Sequence, residues 1–309
     1  MTRYKIIINP VSGRGRGAQS MPQVESLLRS HDLDFEIILT QSPGHAIVLA
    51  EQAVKDGWDV VVAVGGDGTA NEVLNGLARA RLNGNGQAAL GVVSVGRGND
   101  FAYGAGVPSD IEQACQALAA QQRHWLDVGF VQGGDYPQGR FFGNGVGIGF
   151  DAVVGFEALK LKRLQGFPSY IVAALKTIFL YFQAPTVLIE FDGQSLTLPA
   201  LMVSIMNGRR MGGGFMMAPQ GQPDDGLFDL CIARQVSKAR IFTLIPRFMQ
   251  GTQAGHPAIR TARAARVTVS AVKGALPAHA DGETLCTAGE RLALEIYPKM
   301  IEIIVSNRG

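Results

Sequence analysis

The chain has 309 residues, of which 47% are hydrophobic and 17% charged, and its formal net charge at pH 7 is +2. This composition excludes a disordered chain, and the small net charge without a long basic stripe argues against a nucleic-acid partner. The length allows one large domain or two of medium size. Three widely spaced cysteines, Cys115, Cys231 and Cys286, favour free thiols in a reducing compartment.

The apolar runs of the chain are short. The run at residues 4–8 lacks the length of a signal-peptide core, and the run at residues 170–182 contains Lys176 and is too short to span a bilayer. We therefore expect a cytoplasmic protein that attaches to a membrane surface only transiently.

The first part of the chain alternates apolar runs with helical patterns. Strands are predicted at residues 4–8, 35–40, 60–64 and 90–95, and helices at residues 46–55, 70–80 and 111–120. Another helix is expected to start at Ser20, with Pro22 in its first turn and Gln23 completing a capping box. Such alternation predicts a parallel sheet covered by helices, with ligands at the carboxyl ends of its strands.

After Trp125 short β-prone runs dominate. They lie at residues 187–191, 200–206, 227–233, 267–272, 292–297 and 301–305, with one helical interval at residues 167–182. The pattern predicts an antiparallel β-sandwich. We place the boundary near Asp127, which gives an α/β nucleotide-binding domain over residues 1–127 and a β-sandwich domain over residues 128–309, whose last strand could return to the first domain. We expect the active site in a cleft between these domains, and an exposed strand of the second domain could pair two chains.

The segment Gly65-Gly66-Asp67-Gly68-Thr69 joins a predicted strand to a predicted helix. Its glycines leave backbone N–H groups bare at a helix N-terminus, where anions bind well. Asp67 would repel a phosphate unless a metal ion or a proton lies between them, so the loop indicates phosphate chemistry. The alternative is that Asp67 caps the helix. The chain contains no GxxxxGK[ST] motif and is therefore not a P-loop enzyme.

Two other predicted strands of the first domain also end in glycine loops. Residues 9–17 carry Arg14 and Arg16, whose charge suits a phosphate. This loop also fits a dinucleotide fingerprint, but the four residues between the strand and the first glycine do not fit a tight Rossmann turn. Residues 96–101 contain Asp100, which could cap the next turn or hold water or a metal ion.

In the second half, Asp224-Asp225-Gly226 and Asp281-Gly282-Glu283 are each typical of a tight turn. Their carboxylates, with nearby carbonyls, could also hold a hard cation such as Mg²⁺. The histidines are isolated and none has metal-ligand spacing.

Together these segments resemble the diacylglycerol kinase catalytic family, and bacterial soluble lipid kinases of the YegS and DgkB type in particular. The resemblance rests on Asn9-Pro10-x-Ser12-Gly13, Gly65-Gly66-Asp67-Gly68-Thr69-x-Asn71-Glu72, Gly98-Asn99-Asp100-Phe101-Ala102 and the two acidic turns, and it covers about residues 4–305. The Gly-Gly-Asp-Gly core is shared with NAD kinases and phosphofructokinases. The segments at residues 71–72 and 99–102 favour the lipid kinases.

The resemblance implies ATP-dependent phosphorylation of a lipid hydroxyl, on diacylglycerol, phosphatidylglycerol or a sphingoid or ceramide-like lipid. By similarity, ATP would bind Asn9, Pro10, Val11, Ser12, Gly13, Thr40, Gly65, Gly66, Asp67, Gly68, Thr69, Ala70 and Asn71. Arg97 stands where such kinases usually have a threonine, and it could reach a phosphate directly.

The resemblance also implies metal and catalytic residues. A structural Mg²⁺ would bind Asp225 and the main-chain oxygens of Gln222 and Leu227. A Mg²⁺ ion near Asp67 and Asp100 would offset charge on the transferred phosphate. Glu283 matches the proton acceptor, with Asp281 as its close neighbour, and the sequence does not separate their roles.

Residues 141–150 and 156–182 could line the entry of the lipid, and Lys160, Lys162 and Arg163 could contact anionic head groups. The alternative for residues 156–182 is a core helix with solvated basic ends. Two other functions also remain open: an NAD kinase, which would share the Gly-Gly-Asp-Gly core, and a non-catalytic nucleotide- or lipid-binding protein, for which Arg97 is the hint.

Overall fold

The computed structural model describes residues 1–96, 98–160, 171–173, 176–177 and 184–306. Most of the predicted helical interval at residues 167–182 lies outside these ranges, as do Arg97, Lys162 and Arg163. The chain forms two compact units, one made of Met1–Val128 and the chain from Pro298 onward, the other of Gly129–Tyr297. The predicted active-site cleft between two domains stays a prediction.

The first unit contains four parallel strands and five helices. They are β1 (Arg3–Ile8), α1 (Ser12–Ser30), β2 (Asp34–Leu39), α2 (His45–Lys55), β3 (Val60–Gly65), α3 (Asp67–Leu82), β4 (Ala89–Ser94), α4 (Asp100–Ala105) and α5 (Ile111–Ala120). The strand order is β4-β3-β1-β2. Every residue of β3 and β4 is buried, as expected of strands covered by helices on both faces. The predicted α/β sheet is confirmed.

The register of this sheet positions the glycine loops. Ile8 at the end of β1 pairs with Val64 of β3, and Gly65 pairs with Ser94 of β4. Because the three strands run parallel and end at the same level, the loops that follow them start side by side.

Helix α1 corrects the prediction of a helix start at Ser20. Its bounds join two helical segments across a kink at Gly13, Arg14 and Gly15, where φ is 58°, 62° and 90°, so the longer segment begins at Arg16, before Ser20. The Ser20 hydroxyl donates to the Gly17 carbonyl (3.0 Å) instead of capping a first turn. A Cβ on residue 17 would lie 2.0 Å from the Asn9 carbonyl oxygen, so glycine there lets the early turn pack against the preceding loop.

The remaining elements are mostly strands. They are β5 (Arg123–Gly133), β6 (Tyr136–Phe142), β7 (Gly145–Gly149), α6 (Phe150–Lys160), β8 (Thr186–Phe191), β9 (Gln194–Met206), β10 (Phe228–Arg234), α7 (Lys238–Gln250), β11 (Ile259–Ala264), β12 (Arg266–Lys273), β13 (Leu276–Ala280), β14 (Glu283–Gly289) and β15 (Arg291–Ile304). The helices of the described residues are too short or too polar to cross a bilayer.

Strand β9 connects two antiparallel sheets of the second unit. Its residues 194–199 pair with β8, and its residues 200–206 pair with β7 and β10. Buried side chains from both sheets form one core, in which the rings of Phe142 and Phe228 stack with centroids 5.6 Å apart. The predicted antiparallel β-sandwich is confirmed.

The final strand also differs from the prediction. The runs at residues 292–297 and 301–305 were predicted as separate strands, but they form the single strand β15. Pro298 lies within this strand, and the chain passes through Lys299 with φ of 49°. The Lys299 N–H donates to Asp127 Oδ1 (2.7 Å), and Ile303 then pairs parallel with Leu90 of the first unit.

Candidate active site

The loop after β1 is organised by Asn9. Its Oδ1 accepts a hydrogen bond from the Val11 N–H (3.2 Å), and its carbonyl accepts one from the Ser12 N–H (3.1 Å). Its Nδ2 donates to Thr69 Oγ1 (3.0 Å), which belongs to α3. This side-chain bond joins the first glycine loop to the second, so two of the segments predicted to bind ATP are adjacent.

The glycines of these loops are required by close backbone packing. A Cβ on residue 65 would lie 2.3 Å from Thr69 Oγ1, and one on residue 13 would lie 2.4 Å from the Val95 carbonyl oxygen. A Cβ on residue 96 would lie 2.4 Å from the Cα of Gly66. All these distances are shorter than non-bonded atoms allow, so the loops after β1 and β3 each pack against the backbone at the end of β4, while Gly65 makes room for the Thr69 side chain.

Helix α3 begins directly behind the second loop. The Ala70 N–H donates to the Gly66 carbonyl (3.1 Å), which leaves the N–H groups of residues 67–69 without a carbonyl from their own helix. The aligned peptide dipoles add a partial positive charge at this end. The turn therefore has the chemistry of an anion site.

Asp67 is the first residue of α3 and does not occupy the N-cap position, which is Gly66. No side chain caps α3 at its N-cap residue, Gly66. Asp67 Oδ1 instead accepts a hydrogen bond from the Phe101 N–H (3.0 Å) at the start of α4. The carboxylate thus holds the loop after β4 against the loop after β3.

Asp67 and Asp100 converge on Gly98. A Cβ on residue 98 would lie 3.0 Å from Asp67 Oδ2 and 3.6 Å from Asp100 Oδ2, so these two oxygens are no more than about 7 Å apart. Mg²⁺ in kinase sites is commonly held by one or two carboxylates together with substrate phosphates. The two carboxylates have the chemistry of magnesium ligands, and that they bind Mg²⁺ with ATP stays a prediction.

Two other residues of the resemblance have structural contacts. Asn71 is buried, and its side-chain and main-chain oxygens accept hydrogen bonds from Asn75 Nδ2 (3.2 and 2.8 Å). Glu72 accepts from the N–H groups of Gly44 (2.8 Å) and Ala46 (3.1 Å), and so satisfies the first turn of α2. These contacts fix α3, and with it the loop that precedes it, against α2.

The remaining residues predicted to bind ATP lie around the same loops. The Thr40 N–H donates to the Ile8 carbonyl (2.9 Å), and the Pro10 carbonyl accepts from the Ala18 N–H (3.1 Å). Val11 is exposed, and Gly68 lies in the first turn of α3. The contribution of Arg97 lies outside the described residues. That these residues bind ATP stays a prediction.

The acidic turn in the second unit separates Asp281 from Glu283. Asp281 is buried, with Oδ2 accepting from the Gly143 N–H (2.7 Å) and Oδ1 from the N–H groups of Asn144 (3.0 Å) and Gly145 (2.9 Å). Its carboxylate therefore holds the turn between β6 and β7. Glu283 is exposed, and its carboxylate forms no hydrogen bond or ion pair with another described residue. Of the two, Glu283 is the accessible carboxylate, and its role as proton acceptor stays a prediction.

The structural magnesium site at Asp225 does not fit the described contacts. Asp225 Oδ1 accepts from the Leu227 N–H (3.1 Å), and Oδ2 forms an ion pair with the Arg263 guanidinium. Arg263 Nε also lies 3.5 Å from Asp229 Oδ1. A guanidinium at this position repels a divalent cation. The predicted Mg²⁺ at Asp225 and the main-chain oxygens of Gln222 and Leu227 would have to displace this ion pair.

The predicted lipid-entry segment is described only in part. Lys160 Nζ and Lys176 Nζ contact Glu157 at 2.5 and 2.6 Å, and the two ammonium groups lower the pKa of this carboxyl. Lys160 therefore has an acidic partner, which weakens its predicted role in contacting anionic head groups. Lys162 and Arg163 lie outside the described residues.

A polar cluster around Gly147 was missed by the sequence analysis. His279, Gly147 and Ser204 occupy matching register positions on β13, β7 and β9. A Cβ on residue 147 would lie 2.6 Å from both Asp151 Oδ2 and His279 Nε2, so these atoms are within about 5 Å of each other. Ser204 Oγ donates to Asp151 Oδ2 (3.0 Å). The alternating glycines of Gly145-x-Gly147-x-Gly149 were the signal in the sequence that this strand leaves space beside it.

Burial moves the pKa values of this cluster in opposite directions. It raises the pKa of the Asp151 carboxyl from 3.8 to about 7 and lowers the pKa of His279 from 6.5 to about 4. Both changes favour the uncharged form, because a buried charge loses its hydration. At pH values between about 4 and about 7 the cluster therefore carries little charge.

We expect the variant Asp151→Asn to gain stability relative to the unsubstituted protein as the pH rises. The folded protein binds more protons at Asp151 than the unfolded chain does between pH 3.8 and about 7, so this carboxyl lowers stability as the pH rises through that window. A pKa change of one corresponds to about 1.4 kcal/mol, so the rise in the pKa of Asp151 bounds the effect at about 4 kcal/mol.

Urea denaturation at pH 4, 6 and 8 measures this difference. His279 contributes a slope of opposite sign, since its stabilising effect is lost as the pH falls from 6.5 to about 4, but it is present in both proteins and cancels in the comparison. Parallel stability curves for the two proteins would show that the pKa of Asp151 is the same in the folded and the unfolded protein.

Comparisons with known proteins cover both units. The family described as "Diacylglycerol kinase catalytic domain" matches residues 3–131, and the one described as "YegS C-terminal NAD kinase beta sandwich-like domain" matches residues 144–305. A diacylglycerol kinase of Staphylococcus aureus (strain bovine RF122 / ET3-1) is 28% identical over 91% of this chain and 86% of its own length. A diacylglycerol kinase of Staphylococcus saprophyticus subsp. saprophyticus is 27% identical over 91% and 88%.

Solved structures share the fold. A Bacillus anthracis str. Sterne protein assigned to the diacylglycerol kinases has a TM-score of 0.80 at 22% identity, covering 99% of this chain and 95% of its own. An NAD kinase from Archaeoglobus fulgidus in complex with ATP has a TM-score of 0.54 at 13% identity, covering 99% and 95%. The greater similarity is to the first of these two structures.

Proposed function

Because the chain belongs to the diacylglycerol kinase catalytic family and is thus a lipid kinase, we propose that it transfers the γ-phosphate of ATP to a hydroxyl group of a membrane lipid, with diacylglycerol as the first candidate. The observation that carries the proposal is the convergence of Asp67 and Asp100 on Gly98, beside the N-terminus of α3. Carboxylates next to an anion site are suited to holding the metal-bound phosphates of a nucleotide.

Each part of the proposed site has one task. The N–H groups at the start of α3 bind the triphosphate, and the loop at residues 9–13 lies beside them, joined to α3 by the bond from Asn9 to Thr69. Asp67 and Asp100 hold Mg²⁺, which when bound neutralises charge on the phosphate groups. Glu283 accepts the proton of the lipid hydroxyl, which makes its oxygen a better nucleophile. Phosphoryl transfer depends mainly on such positioning and charge neutralisation.

A lipid panel tests the proposal. Purified protein with labelled ATP and Mg²⁺ is offered diacylglycerol, phosphatidylglycerol, ceramide and a sphingoid base in detergent micelles, and NAD⁺ in a parallel reaction. We expect label in one lipid and none in NAD⁺. Label in NAD⁺ alone would favour an NAD kinase, which the fold similarity to the Archaeoglobus fulgidus enzyme makes the relevant second candidate. ATP binding without any labelled product would favour a non-catalytic protein.

We further propose, as part of this function, that the protein works from the cytoplasm and meets its substrate at a membrane surface. A phosphorylated glycerolipid or sphingolipid keeps its acyl chains, so substrate and product both remain in a bilayer. The enzyme must therefore bind that bilayer at least during turnover.

A further inference from the structure

The polar side chains around Gly147, which are those of Asp151, Ser204 and His279, lie on one face of a sheet in the second unit. His279 of β13 pairs with Gly147 of β7, which pairs with Ser204 of β9. Directly paired residues of neighbouring strands have their side chains on the same face. Asp151 joins this row from the first turn of α6, where its Oδ2 accepts a hydrogen bond from Ser204 Oγ (3.0 Å). We call these three side chains the Gly147 cluster.

The His279 ring has no hydrogen-bond partner in the described part of the chain. His279 is only 7% exposed, and its Nδ1 is buried without a partner. Its Nε2 forms no hydrogen bond with another described residue either. A buried polar group without a partner destabilises the folded state, so the missing partner of such a group in a native protein is usually a bound water or ligand.

One oxygen atom can reach two members of the cluster at once. His279 Nε2 and Asp151 Oδ2 lie within about 5 Å of each other, because a Cβ on residue 147 would lie 2.6 Å from each. Two hydrogen bonds of about 2.9 Å that share one oxygen span up to about 5.8 Å. Asp151 is half-buried, so the cluster is not sealed from the protein surface.

The surroundings of the cluster are apolar and adaptable. Met202 and Met206 lie on the same face of β9 as the cluster, and together with Phe150 at the start of α6 they belong to one apolar core. Methionine side chains are flexible and adapt to different partners, and a few polar groups in an apolar lining are typical of ligand sites. Burial raises the pKa of Asp151 to about 7 and lowers the pKa of His279 to about 4, so the cluster suits an uncharged group.

We propose that the Gly147 cluster binds an acyl ester carbonyl of the acceptor lipid, with the His279 ring as hydrogen-bond donor. A neutral imidazole has one N–H group, and an ester carbonyl can accept from it. The ammonium group of a sphingoid base can only donate, so it would leave this N–H unpaired. Strand β13, which carries His279, forms a hairpin with β14, whose first residue is the proposed proton acceptor Glu283. The inference rests on the proposed function and narrows its acceptor to ester lipids.

Nitrogen NMR without ATP tests the binding. Protein labelled at its five histidines is titrated with dioctanoylglycerol and with dioctylglycerol, an ether analogue that has the same hydroxyl group and no carbonyl. We expect the ester to shift the ring signals of His279, which are the signals missing from His279→Phe, and the ether to shift them much less. His124→Phe, the same substitution at an exposed position of β5, should leave the response of His279 unchanged.

Kinetics with the same two lipids measures the contact. Loss of one neutral hydrogen bond weakens binding by about threefold to tenfold, so His279→Phe should raise the KM for dioctanoylglycerol by this factor and leave kcat and the KM for ATP unchanged. Dioctylglycerol should have the higher KM from the start and be unaffected by the substitution. His279→Phe should melt no lower than the unsubstituted protein, because it removes an unpaired polar group from the interior. His279→Gln keeps an N–H donor and should recover most of the affinity for the ester.

Two results would overturn the inference. They are ring signals of His279 that respond equally to both lipids or to neither, and a KM change in His279→Phe that is the same for the ester and the ether. Either result would mean that the carbonyl is not the partner of His279. An ester-specific shift without phosphorylation of any lipid would remove the proposed function and leave the binding site standing, whereas phosphorylation of lipids with unchanged kinetics in His279→Phe would do the reverse.

Discussion

Asp67→Ala is expected to lower kcat by about 100-fold or more, the usual cost of removing one group that stabilises developing charge. Asp67 lies at the N-terminus of α3 with Asp100 close by, where we propose that the metal-bound phosphates of ATP are held. The fold should survive, because the hydrogen bond from the Phe101 N–H that the variant loses is worth about 1 kcal/mol by analogy with helix caps. Steady-state kinetics and thermal melting measure the two effects.

Two variants separate charge from hydrogen bonding. Asp67→Asn keeps an oxygen that can accept from the Phe101 N–H but removes the negative charge, so it should melt normally and still be slow. Asp110→Ala is the matched control, because Asp110 Oδ1 also accepts from a main-chain N–H at a helix start, that of Gln113 (3.0 Å). It should lose similar stability and keep its kcat. If Asp67→Ala turned over normally, Asp67 would be only the residue that fixes α4.

Glu283→Gln and Asp281→Ala are expected to fail in different ways. Loss of a general base typically costs a factor of about 10²–10⁴ in rate, and Glu283→Gln should show this loss with an unchanged melting temperature, because its carboxylate forms no bond with another described residue. Asp281→Ala should instead destabilise the protein by about 3–5 kcal/mol, since three main-chain N–H groups lose a charged acceptor inside the fold.

Melting temperature and kcat measured on the same preparations distinguish these roles. Thr284→Ala, next to Glu283 on β14, controls for changes at an accessible strand position and should be normal in both measurements. If Asp281→Ala were slow but fully stable and Glu283→Gln were active, the roles would be reversed. Asp281 would then be the proton acceptor. The result matters because the sequence places both acids in one turn and gives no reason to choose between them.

The first unit was predictable because its signals are local. Strands β1, β3 and β4 are continuous apolar runs, and the loops after them are marked by glycines and acids within a few residues. The start of α1 was not predictable from the same signals. Glycines at positions 13, 15 and 17 suggested an open loop, whereas Gly17 is small because the Asn9 carbonyl lies against it. That contact forms only in the folded chain, so the helix and strand propensities of the sequence do not indicate it.

In the second unit the prediction recovered the sandwich but not the strands rich in small residues. Strand β7 alternates glycine with Val146 and Ile148, so its β propensity is low, and its pairing partners on β9 and β13 are distant in sequence. The same distance concealed the cluster of Asp151, Ser204 and His279. Asp281 was recognised as a notable acid, but its role as acceptor for the turn at residues 143–145 follows only from the folded geometry.

The contact of the loops after β1, β3 and β4 through bare backbone has a consequence for how this protein could diversify. Their shape depends on the three glycine positions 13, 65 and 96 and on the hydrogen bonds of the Asn9 and Asp67 side chains, so substitutions elsewhere should leave the surface that binds the phosphates nearly unaltered. The preference for the alcohol that accepts the phosphate can then change through substitutions elsewhere, while binding of the phosphate donor is retained. Directed evolution toward new alcohols should accordingly keep these three positions fixed and randomise the second unit.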